Sequence, residues 1–196
     1  MATVVSHVLL GWGAYRFADA GRDPRRLGPA VAGALSMLPD ADTLLMRWIP
    51  YEAMSGHRGL SHSLAVAALV GVLAAAALRH RVAFPGGFWG LAGTLAAITA
   101  SHGLLDAMTD GGLGIAFFAP FSAARHFLPI QPIPVSPITV NVLDPWVLRV
   151  LAVEALLLWP WALLLGVART PAPRWLRIVA AVAALASVAC WVVRCR

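Results

Sequence analysis

The sequence predicts an all-α, polytopic membrane helical bundle, and three observations carry the prediction. First, the 196-residue chain is 60% hydrophobic and only 12% charged, with a mean hydropathy of +0.77; a soluble domain runs at roughly 45–50% apolar and about 25% charged. Second, the apolar residues form long uncharged runs with the arginines scattered between them. Third, most of the prolines and glycines that break secondary structure fall between the runs, densest over 111–143. No internal repeat or second domain is visible, so residues 1–196 are read as one membrane-embedded domain. Within it, 1–143 form a metal-site region and 144–196 a C-terminal helical hairpin.

The elements follow in order. Runs at 4–17 and 27–38 are short, in the length range of helices that lie buried behind others or re-enter the membrane. They are expected to form a helical hairpin joined by residues 22–26. Four longer helices follow, around 64–78, 82–105, 144–168 and 178–193, each extendable toward the roughly 20 residues that span a hydrocarbon core. The third of these begins at Asp144-Pro145, an N-cap followed by proline at the first helical position, and Pro160 is expected to kink it. Segment 111–143 carries Pro120, Pro129, Pro132, Pro134 and Pro137, a density that blocks both helix and central strand. It is expected to be a structured loop. The opening residues lack a basic region and carry His7, so they are read as part of the fold and not as a removable signal.

Charge excludes some classes and orients the chain. All 15 basic residues are arginine, and against 9 acids they give a net charge of +6 and a pI near 10.9. Such a pI can mark nucleic-acid binding, but these arginines are scattered between apolar runs, so no nucleic-acid partner is expected; the lipid bilayer is. On a zigzag, nine arginines (16, 22, 25, 26, 79, 81, 169, 174, 177) collect on one side and five (47, 58, 125, 194, 196) on the other. The positive-inside rule then places the first side in the cytoplasm. Two cysteines, Cys190 and Cys195, are too few for a disulfide framework or a thiolate metal site.

The remaining ionisable residues are distributed unevenly. His7, Asp40, Asp42, His57, His62, His102, Asp106 and Asp110 all fall on the arginine-poor side of the zigzag, which the same rule makes periplasmic or extracellular. His102 and Asp106 are four apart on one helix, with Thr99 before and Asp110 beyond at the same spacing, so the four are expected on one helical face. Ionisable groups inside a bilayer are costly and need partners, which makes a functional role the default reading. Neutral imidazoles with carboxylates and no thiolate suit a divalent cation: Zn²⁺ foremost, or Mn²⁺ or Fe²⁺, one to three ions. In His57-Arg58-Gly59-Leu60-Ser61-His62-Ser63, Gly59 is expected to let the chain turn so that both histidines aim at one point. Arg58 offers a planar fork of donors for a phosphate or a carboxylate, as does Arg125 further on. Ser61 or Ser63 is placed to cap the next helix. Arg58 and Asp110 are the candidates for catalytic support, Asp110 by orienting a ligand.

These residues resemble a known family. His7, Leu38-Pro39-Asp40-Ala41-Asp42, His57-Arg58-Gly59 with His62-Ser63, and His102-Gly103-Leu104-Leu105-Asp106 are similar to the YdjM-type inner-membrane, metal-dependent hydrolases. The likeness runs through Thr109-Asp110-Gly111-Gly112 to about residue 137. More distantly, the His-xxx-Asp element resembles the zinc-dependent phospholipase C and single-strand nuclease superfamily. The resemblance implies His7, Asp40, His57 or His62, His102 and Asp106 as metal ligands, and hydrolysis of a phosphoester or lipid-derived substrate by metal-activated water. A metal transporter, or a metal-binding membrane protein without hydrolase activity, is the alternative expectation.

Overall fold

The structure is a computed structural model that describes residues 1–22, 27–137, 141 and 143–194. Most of the expected 22–26 connector, parts of the loop end near 138–142, and Cys195 and Arg196 lie outside the described residues. Seven α-helices are described: α1 (Val4–Asp19), α2 (Leu27–Leu35), α3 (Leu64–Leu78), α4 (Gly87–Asp106), α5 (Pro145–Leu157), α6 (Trp159–Ala168) and α7 (Arg174–Arg194). Two 3₁₀ segments, Leu38–Leu45 and Leu60–His62, join α2 to α3. The described residues hold no named strand, and the protein is an all-helical bundle.

The bundle packs through small residues. A Cβ on Gly13 of α1 would run into the carbonyl of Ala162 on α6, and one on Gly71 of α3 into Ala92 and Ala96 of α4. Glycine at these two crossings lets backbones approach closely, as apolar helices in a membrane require. A first apolar cluster joins Tyr15, Ala32, Leu91, Leu95 and Ile98; a second gathers Ala2, Leu105, Ile133, Leu157 and Leu158.

The predicted start of the C-terminal hairpin is found: Asp144 accepts the Trp146 N–H at 2.8 Å, with Pro145 opening α5. The expected kink is a break at Leu158, where α5 and α6 meet at 42°; Pro160 cannot donate to the preceding turn. Trp159 and Trp161, which flank that proline, donate to Ser6 (3.0 Å) and Ser187 (2.9 Å) and tie the break to α1 and α7. Among the described residues, α4 and α7 are long and apolar enough to cross a membrane unaided, with bent α5–α6 a third candidate. The 15-residue α3 is about 22 Å long, short of a roughly 30 Å core. It falls short because Ser63 starts it late, accepting the Val66 N–H as N-cap, while the preceding residues stay in the site loop.

The proline-rich loop is ordered by main-chain pairing. Ile115 and His126 exchange hydrogen bonds at 2.9 Å, Leu128 N–H donates to Ala107, and Asp110 N–H to Ile133. Ala116 N–H donates to the Arg58 carbonyl and Leu64 N–H to Phe117, which folds the loop over the His57–His62 turn.

Candidate metal centre

Four elements converge at one end of the bundle: the start of α1 with His7, the 3₁₀ segment after α2 with Asp40 and Asp42, the turn before α3 with His57 and His62, and the end of α4 with His102 and Asp106. One donor atom each from Asp40, His62, His102 and Asp106 lie within 4.8 Å of one another. A second group, Asp42, His57 and His62, meets the same distance and shares His62.

The hydrogen bonds fix which atoms face inward. His102 Nδ1 lies 2.7 Å from the Ser36 carbonyl. A carbonyl only accepts, so Nδ1 carries a proton, and the neutral form of the ring presents its Nε2 lone pair to Asp40 Oδ1 at 3.2 Å. His62 repeats the pattern, with Nδ1 beside Asp42 (3.3 Å) and Ser61 (2.9 Å) and Nε2 3.6 Å from Asp40. Acceptor thus faces acceptor. His62 Nε2, His102 Nε2, both Asp40 oxygens and Asp106 Oδ2 are buried without a hydrogen-bond partner among the described residues. Such atoms are costly unless a cation or proton sits among them. Asp42 and His57 instead satisfy each other, Oδ1 to Nδ1 at 2.7 Å, and Ser61 donates to the second Asp42 oxygen. The first group is therefore the one that fits a divalent cation. Asp40 and Asp106 bring two carboxylate charges to this group, and Arg58 pairs with the second of them.

The carboxylates stay ionised despite their setting. Burial pushes Asp40 up, but His102 and His62 outweigh it and hold it well below the usual carboxylate range. Asp42 is held down likewise, burial being overcome by His57, His62 and Ser61. Burial lowers His62, yet Asp40 and Asp42 prevail and raise it above its ordinary value of 6.5.

His7 lies against the group. Its ring stacks on His102 with centroids 3.8 Å apart, its Nε2 is 3.5 Å from Asp106 Oδ1, and neither nitrogen has a hydrogen-bond partner among the described residues.

Arg58 is 1% exposed, and its fork is taken by the protein: Nε lies 3.3 Å from Asp106 Oδ2, one terminal nitrogen donates to Gly111 O (2.7 Å), the other to Thr109 Oγ1 (3.0 Å). Of the two expected partners, phosphate or carboxylate, the structure supplies the carboxylate. The turn expected at Gly59 is made by Arg58 itself, at φ 64°; Gly59 is needed because a Cβ there would strike the Met54 carbonyl. Arg125 meets neither a carboxylate nor open space, since it donates to the carbonyls of His57, Tyr51 and Ala53. Asp110 is a correction. Helix α4 ends at Asp106, so Asp110 leaves the face of Thr99, His102 and Asp106; it is exposed, and its carboxylate accepts the Val135 N–H at 2.7 Å, tying down the loop.

Glu154 was not singled out from the sequence. Fully buried on α5, it accepts the Thr3 N–H at 2.7 Å and the hydroxyls of Thr3 and Ser6, and so caps the helix that carries His7. Its signal was available as the lone acid in an apolar helix.

Comparison with known proteins places the chain among inner membrane proteins. The chain is 36% identical over 141 residues to the inner membrane protein YbcI of Escherichia coli (strain K12), covering 67% of this chain and 77% of that protein. No solved structure gives a significant match. The model of the YdjM inner membrane protein family matches residues 1–194, and the chain belongs to that family.

Proposed function

We propose that the protein is a membrane-bound, metal-dependent hydrolase acting on a phosphoester or lipid-derived substrate. One observation carries the reading: Asp40, His62, His102 and Asp106 bring acceptor atoms close to one another, and His62 Nε2, His102 Nε2, both Asp40 oxygens and Asp106 Oδ2 have no hydrogen-bond partner among the described residues. These four would hold a divalent cation, Zn²⁺ foremost, with His7 beside them. The bound ion supplies Lewis acidity toward water and toward a phosphoryl oxygen. The chain's own residues do the rest. Ser36 and Asp42 fix the tautomers of His102 and His62, Arg58 balances Asp106, and Asp110 pins the loop that covers the site. Exposed Leu44, Trp48 and Phe121 on the same segments suit a site at headgroup level, on the face that the arginine distribution makes periplasmic.

Burial favours a second reading, a metal-binding or metal-transporting protein without hydrolysis. The ligand set is nearly inaccessible, and the cavity beside it, lined by His57, Arg58, Tyr51 and Gly112, is about 80 Å³. Metal analysis of purified protein comes first: about one ion per chain is expected, lost in His102→Ala. Hydrolysis of a generic phosphodiester that requires the loaded metal supports the enzyme; metal flux across liposomes without hydrolysis supports the alternative. Absence of bound metal refutes both.

A further inference from the structure

A second feature lies along α1, away from the metal centre. Val8, Trp12 and Arg16 form one stripe at helical spacing, and two cavities of about 450 and 370 Å³ run beside it. They share Trp12, Pro29 and Ala30 as walls, so they make one groove between α1 and α2, continued by Val8 and Ala34 at one end and by Arg16 at the other. The Trp12 indole is backed by Gly166 of α6, where a Cβ would collide with the ring. Arg16 is the charged group among the described lining residues. Its Nε is buried and has no hydrogen-bond partner among the described residues, and no ion pair to a described residue engages it. A guanidinium N–H in that state costs free energy until an acceptor reaches it. Arg16 stands in the last turn of α1, about 13 Å along the helix from His7, at the arginine-rich end of the bundle, where Arg169 packs over Phe17.

We propose that this groove binds an anionic glycerophospholipid: an acyl chain lies along Val8, Trp12, Ala30 and Ala34, and the phosphate accepts from Arg16. An apolar trough ending in a cation that no described acid pairs is complementary to a chain ending in one anion, and the size falls in the ordinary range for ligand sites. The site is separate from the metal centre and stands whether or not the protein is a hydrolase.

The test is native mass spectrometry of the purified full chain in detergent, titrated with phosphatidylglycerol or with phosphatidylcholine of the same acyl chains. Wild type should keep one phosphatidylglycerol at collision energies that strip phosphatidylcholine. Arg16→Gln, which removes no hydrogen bond or ion pair to a described residue, should cut that preference about fivefold, the value of one cation near a headgroup. Ala30→Trp leaves the charge in place and fills the groove, and should abolish the retained adduct of either lipid. Equal retention of the two lipids by wild type, or wild-type behaviour of either variant, overturns the proposal.

Discussion

Glu154 and Asp106 are both fully buried acids in the bundle, yet their surroundings are opposite. Glu154 is met by donors alone, the Thr3 N–H and the hydroxyls of Thr3 and Ser6, so its carboxylate is complete. Asp106 receives the Ala2 N–H on Oδ1 at 2.8 Å, but around Oδ2 stand His62 and His102 nitrogens at 3.9 and 4.0 Å, with Arg58 at 3.3 Å. Burial alone does not mark a functional acid. The mark is a buried acid with an oxygen set among imidazole nitrogens and no hydrogen bond of its own, because a shared cation or proton is what relieves that arrangement.

The sharpest way to break the comparison is to remove a donor atom from the Asp106 group. Asp106→Asn keeps the volume and removes the charge; metal analysis should find the bound ion lost, along with any hydrolysis that depends on it. If Asp106→Asn keeps full metal content, the two acids are alike and the site assignment is wrong. Asp42→Asn should weaken metal affinity about 10–100-fold without abolishing it, as loss of an orienting partner does. Complete loss in a competition assay would make Asp42 a ligand and not an orienting partner.

Proton linkage gives an independent check. The folded-state pKa of His62 lies above 6.5, so its pairing with Asp40 and Asp42 stabilises the metal-free protein below that value and is lost as pH rises through the raised pKa. Metal needs the neutral ring, so affinity should climb through the same window, by up to about tenfold per pH unit for each proton released. Calorimetry in buffers of different ionisation enthalpy counts that proton, and a proton count of zero contradicts the assignment of His62.

Glu154→Ala should destabilise the bundle by about 1–3 kcal/mol, since it strands a buried N–H and two hydroxyls. Metal stoichiometry should nevertheless survive in the milder Glu154→Gln, and loss of metal there would erase the distinction between the two acids. The smallest effect is expected for Ser63→Ala, about 1 kcal/mol from the lost α3 cap, read from thermal unfolding in detergent.

Much of this was legible in the sequence because it depends on local rules. Uncharged runs located the helices, Asp144-Pro145 the start of α5, and Pro160 its break. Of the eight acidic and imidazole residues that the side-of-membrane count gathered, the structure brings seven together. Asp110 escaped because helical spacing was extended past the point where α4 stops. Glu154 escaped because its partners, Thr3 and Ser6, are about 150 residues away, and no spacing rule links α5 to α1. The role of Arg58 was open between two anions, and only its 3.3 Å approach to Asp106 chose one.

By itself, then, the sequence determined the class, the order of helices and the inventory of donors, since hydropathy, capping and proline act over a few residues. Tertiary structure decided which lone pairs face one another. That depends on the Ser36 carbonyl meeting His102 and on Asp42 meeting His62, contacts between segments whose approach is set by small-residue packing of whole helices. These contacts fix the imidazole tautomers, and the tautomers separate a cluster that fits a cation from a set of acids and histidines already satisfied by hydrogen bonds.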